Sequence, residues 1–86
     1  MTLQPYKKVK MDKKNQLGPP QSQIDSVIAL YSNGQIQEAL DSVGVLIKDY
    51  PNEALLYNVR GACYAGLGQL DTAVKSYEKL LVIKPD

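Results

Sequence analysis

From residue 20 onward the apolar positions recur at three- and four-residue steps. Ile24, Val27, Ile28 and Tyr31 form the first stripe, the spacing of one helix face. Pro20 opens it, at a position where a missing N–H costs nothing. Asn33-Gly34 closes it, because glycine accepts the left-handed backbone at a helix C-terminus. A second stripe, Ile36, Leu40, Val43 and Ile47 with Ala39 and Leu46 beside it, runs to Tyr50-Pro51, where the residue before proline disfavours the helical region. A third helix is predicted from about Asn52 to Gly66, with Leu56, Tyr57, Arg60, Gly61 and Tyr64 on one side, broken by Gly66-Leu67-Gly68. A fourth, from about Leu70 to Ile83, carries Ala73, Val74, Tyr77, Leu80 and Leu81 and closes at Lys84-Pro85. No stretch shows the strict alternation of a strand.

Residues 1–19 read differently. Their aliphatic side chains are Leu3, Val9 and Leu17, and they end in Gly18-Pro19. Lys7, Lys8, Lys10, Lys13 and Lys14 stand there against Asp12, whereas residues 21–86 carry five basic and eight acidic groups. So little apolar surface does not offset the entropy of ordering, and a flexible basic arm is expected. Residues 20–86 are expected to form one folded domain.

The chain repeats itself. A shift of 34 residues superimposes Gly34 on Gly68, Gln35 on Gln69, Ala39 on Ala73, Ser42 on Ser76, Leu46 on Leu80 and Pro51 on Pro85. The pairs Ile36/Leu70, Leu40/Val74 and Ile47/Leu81 fall in the same register. The two units are residues 20–53 and 54–86. A 34-residue helix–turn–helix unit has the tetratricopeptide period, and the second unit resembles that family. Tyr57-x2-Arg60-Gly61-x2-Tyr64 stands for W-x2-L-G-x2-Y, Ala73-x3-Tyr77 stands for A-x3-F, and Pro85 closes the unit. In the first unit Ala39-x3-Val43 and Pro51 fit, while Val27 stands where glycine is usual. The resemblance implies an all-α fold of two stacked helix-turn-helix repeats, a short right-handed α-solenoid.

Composition narrows the chemistry. There is no His, so the commonest general base and zinc ligand is missing. Cys63 is the single cysteine, so no internal disulfide forms. It reads as a small core hydrophobe, and Arg60 as a stem covering the core with its head in water. Gly66-Leu67-Gly68 lacks the lysine and preceding strand of a phosphate loop. No apolar run reaches the roughly 18 residues of a membrane span, and no apolar segment follows the N-terminal lysines as in a secretory signal. A cytoplasmic setting is the default expectation. No catalytic residue, cofactor or metal is expected, and the acidic folded part speaks against nucleic acid.

By the resemblance, the first helix of each unit lines a concave groove. Gln21, Ile24, Ile28 and Tyr31 would face it in the first unit, and Leu55, Asn58, Ala62 and Ala65 in the second. Ile24 and Ile28 stand where clamps for a peptide carboxylate carry polar residues, so no such clamp is expected. The implied function is protein–protein interaction, as scaffold or adaptor, with a protein or peptide partner and no small-molecule substrate. The last helix would present Val74, Tyr77 and Leu81 without cover, which points to a homo-oligomer. The alternative is the N-terminal repeat portion of a larger bacterial enzyme, such as a repeat-bearing sulfotransferase or glycosyltransferase.

Overall fold

The computed structural model describes residues 18–84. Most of the basic arm, residues 1–17, and the closing Pro85 and Asp86 lie outside the described residues. Among the described residues four helices follow one another: α1 (Gln21–Ser32), α2 (Ile36–Asp49), α3 (Ala54–Gly66) and α4 (Leu70–Ile83). Each packs on the next, and α3 with α4 is the most extensive contact. The fold is all-α, as expected for a helical repeat. α3 starts at Ala54 rather than near Asn52. The cause is a hydrogen-bonded turn after α2, in which the Glu53 N–H donates to the Tyr50 carbonyl over 3.1 Å.

The 34-residue period is written in the backbone. Gly34 and Gly68 have φ of +83° and +80°. Nothing lies within 4 Å of where a Cβ would stand at either, so the left-handed angle, not space, demands glycine. The Gln35 N–H donates to the Leu30 carbonyl at 2.9 Å, and the Gln69 N–H to the Tyr64 carbonyl at 2.8 Å. Both are the six-to-one bond that satisfies an orphan carbonyl at a helix end. The two pre-proline exits agree as well: Tyr50 has φ −133° and ψ 64°, and Lys84 −131° and 84°, both outside the helical region that a following proline disfavours.

One core joins the units. Val27 from α1, Ala39, Val43 and Leu46 from α2, and Leu56 and Cys63 from α3 form a buried cluster, with Ile36, Leu40, Ile47 and Val59 packed against it. Two solutions to the same packing problem then appear 34 residues apart. In the second unit Gly61 admits the Tyr77 ring: a Cβ on Gly61 would stand 2.6 Å from Tyr77 Cε1. The counterparts in the first unit are Val27 and Val43, and both are buried. A small–large pair is exchanged for two of middle size. The bulk of Val27 is therefore accommodated by the loss of a ring opposite it.

This pairing has a measurable consequence. Gly61→Val should destabilise the chain by about 1–3 kcal/mol, the usual cost of overpacking. Adding Tyr77→Val should rebuild the arrangement of the first unit. Urea denaturation of the two single variants and the double variant should show a favourable coupling of about 1 kcal/mol or more. Simple additivity would contradict the exchange.

Candidate protein-binding surfaces

α1 and α3, the first helices of the two units, present Ile28, Tyr31, Asn58, Val59 and Ala62 around a concavity of about 180 Å³. Its walls carry no charge. Ile28 and Tyr31 are exposed along its α1 side. Four of the residues expected in a groove thus meet here: Ile28, Tyr31, Asn58 and Ala62. The other four do not. Ile24 is only 7% exposed; it lies one turn before buried Val27 on the inner side of α1, so it belongs to the packing and offers nothing to a partner. Gln21 and Ala65 are exposed but stand away from the concavity. Leu55 lies instead in a depression of about 480 Å³ where the start of α3 meets the end of α4, with Asn52, Leu80, Ile83 and Lys84. Val59 was not singled out from sequence; its place one residue after Asn58 on the inward side of α3 was the available signal.

On α4, Leu70, Val74 and Leu81 are 62%, 52% and 57% exposed. Helical spacing sets them in one stripe. Tyr77 is at its edge, half-buried with its ring turned toward Gly61, so it contributes less to the open surface than the sequence suggested. Leu70 contributes more. The repeat supplies a reference for this stripe. The counterparts of Leu70, Val74 and Leu81 are Ile36, Leu40 and Ile47 on α2, and these are packed against the core cluster to which α3 contributes Leu56 and Cys63. The opposite end of the molecule differs. The counterparts of Leu56, Val59 and Cys63 on α1 are Ser22, Asp25 and Ala29, all exposed. One end of the pair of repeats is polar and the other apolar.

Between α3 and α4 the polar side chains are held. The Tyr57 hydroxyl donates to the Pro51 carbonyl over 2.8 Å, so this ring keeps its hydroxyl inside the protein rather than in water. The Arg60 guanidinium lies 5.1 Å from the centre of the Tyr57 ring, and its Nε donates to Ser76 Oγ at 3.3 Å. Cys63 is buried, and burial pushes its thiol above the ordinary range, away from the reactive thiolate. Among the described residues no cluster of His, Cys, Asp and Glu is suited to a metal ion. No described helix is long and apolar enough to cross a membrane.

Residues 54–86 match the model of the tetratricopeptide repeat family. This stretch is similar to a tetratricopeptide repeat. The match covers α3 and α4, and α1 with α2 reproduces the same turn bonds 34 residues earlier, so the described residues form a tetratricopeptide-like repeat region. Repeats of this family generally mediate protein–protein interaction and are typically non-catalytic. No curated protein and no solved structure matches the chain.

Two outcomes follow from the held side chains of the second repeat. Tyr57→Phe removes the hydrogen bond to the Pro51 carbonyl and should cost about 1 kcal/mol in thermal or urea unfolding, while Tyr31→Phe at the exposed concavity should stay within about 0.5 kcal/mol. Cys63 should resist iodoacetamide at pH 8 in the native protein and react as urea opens the fold. Because its folded pKa is raised, the thiol's contribution to stability is full below the unfolded pKa and is lost as pH rises through the folded one.

Proposed function

We propose that this region is a protein-interaction module, a scaffold or adaptor with two working surfaces: the concavity between α1 and α3 for a protein or peptide segment, and the apolar stripe of α4 for a second copy of the chain. The observation that carries the second surface is the internal comparison, since the same three positions are bare on α4 and packed on α2. Burying Leu70, Val74 and Leu81 is worth about 1.5–3 kcal/mol each, comparable with the whole margin of so small a domain. The uncharged concavity supports an apolar or neutral segment as its occupant, and its lack of cationic side chains argues against capture of a carboxylate. The reading assigns these residues binding and no chemistry.

The polar α1 end favours one geometry of self-association over another. Head-to-tail stacking would set Ser22 and Asp25 against Leu70 and Val74, stripping water from a carboxylate whose hydrogen-bond donor is the neutral Gln21 amide and not a counter-charge. Two α4 stripes meeting about a two-fold axis avoid that cost and close the assembly at a dimer. Sedimentation from low to high micromolar concentration should show a monomer–dimer equilibrium. Val74→Lys or Leu81→Lys should leave monomer at every concentration. Ile28→Lys, in the concavity, should leave the equilibrium unchanged. A concentration-independent monomer, or open-ended growth, would refute the two-fold dimer.

A further inference from the structure

The second repeat shows what fits between its two helices on the face away from the concavity. Tyr57 is buried, the Arg60 guanidinium lies 5.1 Å from the centre of its ring, and Arg60 Nε donates to Ser76 Oγ at 3.3 Å. At the matching places of the first repeat, Gln23 stands for Tyr57, Ser26 for Arg60 and Ser42 for Ser76. The acceptor is kept, and the ring and the guanidinium are gone. An open hollow of about 320 Å³ remains, lined by Gln23, Ser26, Val27, Ser42, Val45 and Leu46. Val27 and Leu46 are buried beneath it, and Val45 at its rim is 63% exposed.

The border of the hollow on α2 is acidic. Glu38 stands one turn before Ser42, and Asp49 one turn after Val45, so both share the helix side that meets the hollow. Asp41 and Lys48 flank that side with opposite charges. Glu38 accepts from the Gln35 side-chain amide at 2.6 Å, a neutral donor that leaves its charge in place. In the second repeat the sign is reversed. The counterparts of Glu38, Asp41, Val45 and Asp49 on α4 are Thr72, Lys75, Lys79 and Ile83, and Arg60 already stands between the helices.

These features select an occupant by its chemistry. Apolar walls suit the methylene stem of a long side chain whose head stays polar. A hydroxyl acceptor and a carboxylate one turn apart suit a donor with several N–H groups in a fixed fork, which is the guanidinium. Its weaker hydration also lets it enter a half-buried site more readily than an ammonium. The molecule itself shows the fit, since Ser76, the counterpart of Ser42, already receives a guanidinium. Arg60 is the single arginine in the chain, and it is held in the second repeat. The arginine that suits the hollow is therefore another protein's.

We propose that the hollow of the first repeat is a docking site for an arginine carried on an apolar segment of a protein partner. The stem lies on Val27, Val45 and Leu46, and the guanidinium bridges Ser42 Oγ and the Glu38 carboxylate. This is a third surface, separate from the concavity and the α4 stripe. Lys75 and Lys79 repel the same arginine from the second repeat, so the two outer faces are told apart by charge.

Titrating the full chain with a blocked pentapeptide, Ala-Leu-Arg-Leu-Ala, while following amide chemical shifts tests this. At millimolar peptide the amides of Ser26, Ser42 and Val45 should move, and those of Lys75 and Lys79 should not. The twin peptide with lysine in place of arginine should bind several-fold more weakly. Ser42→Ala and Glu38→Gln, neither of them in the buried core cluster, should each weaken the arginine peptide several-fold. Gln23→Tyr/Ser26→Arg copies the second repeat and should abolish binding. Equal affinity for the two peptides would overturn the proposal, as would shifts that miss Ser26, Ser42 and Val45. Undiminished binding by Ser42→Ala and Glu38→Gln would overturn it as well, whether or not the filled variant folds.

Discussion

Without α3 lying against it, α2 would expose Ile36, Leu40 and Ile47 to water, as α4 exposes Leu70, Val74 and Leu81. Everything else in the structure depends on that seam. Isolated helices of 12 to 14 residues are marginal in water, and one helical pair has too little core to fold alone. The cluster of Val27, Ala39, Val43, Leu46, Leu56 and Cys63 draws on three helices and both repeats, so each unit's stability is lent by its neighbour. The fully buried Cys63 fits the same account: a small apolar atom group is required where α3 meets that cluster, and its thiol chemistry is suppressed by the same burial.

The turns and exits were legible in the sequence because they are backbone constraints that act locally. Gly34 and Gly68 need a left-handed angle, and Pro51 dictates the residue before it, whatever packs around them. Packing that depends on pairs was less legible. Val27 looks like a misfit beside Gly61 only while each position is read alone; set with Val43 and Tyr77, it becomes one half of a volume exchange. Ile24 and Ile28 share an apolar stripe, and their spacing cannot say which of them turns inward. The structure buries the first and leaves the second at the concavity. The two-residue delay in the start of α3 came from a turn hydrogen bond with no side-chain signature.

The outer faces show what a repeat can vary once its seam is kept. Ala39 and Ala73 are both buried because close helix approach leaves no room for a larger residue. Outside that contact, Asp41 is replaced by Lys75, Val45 by Lys79, Gln23 by Tyr57 and Ser26 by Arg60. None of these changes touches the turn bonds or the glycine angles. Charge and cavity shape are therefore free to differ between two units whose backbones agree, and each unit can be given a distinct surface chemistry at little cost to folding.

The same logic separates affinity from selection. The α4 stripe is apolar and extended over three turns, so whatever covers it gains area-dependent free energy that salt does not screen. The acidic side of α2 and the lysines of α4 act through exposed charges, where a single pair is worth little and falls off within a Debye length. Such charges choose among partners and orient them more than they bind them. Asp25 and Ser22 at the α1 end work by exclusion, since an apolar partner there would bury a carboxylate without a counter-charge. A helical pair stacked on a second pair thus acquires direction: apolar surface sets where association is strong, and the placement of a few charges sets where it is refused.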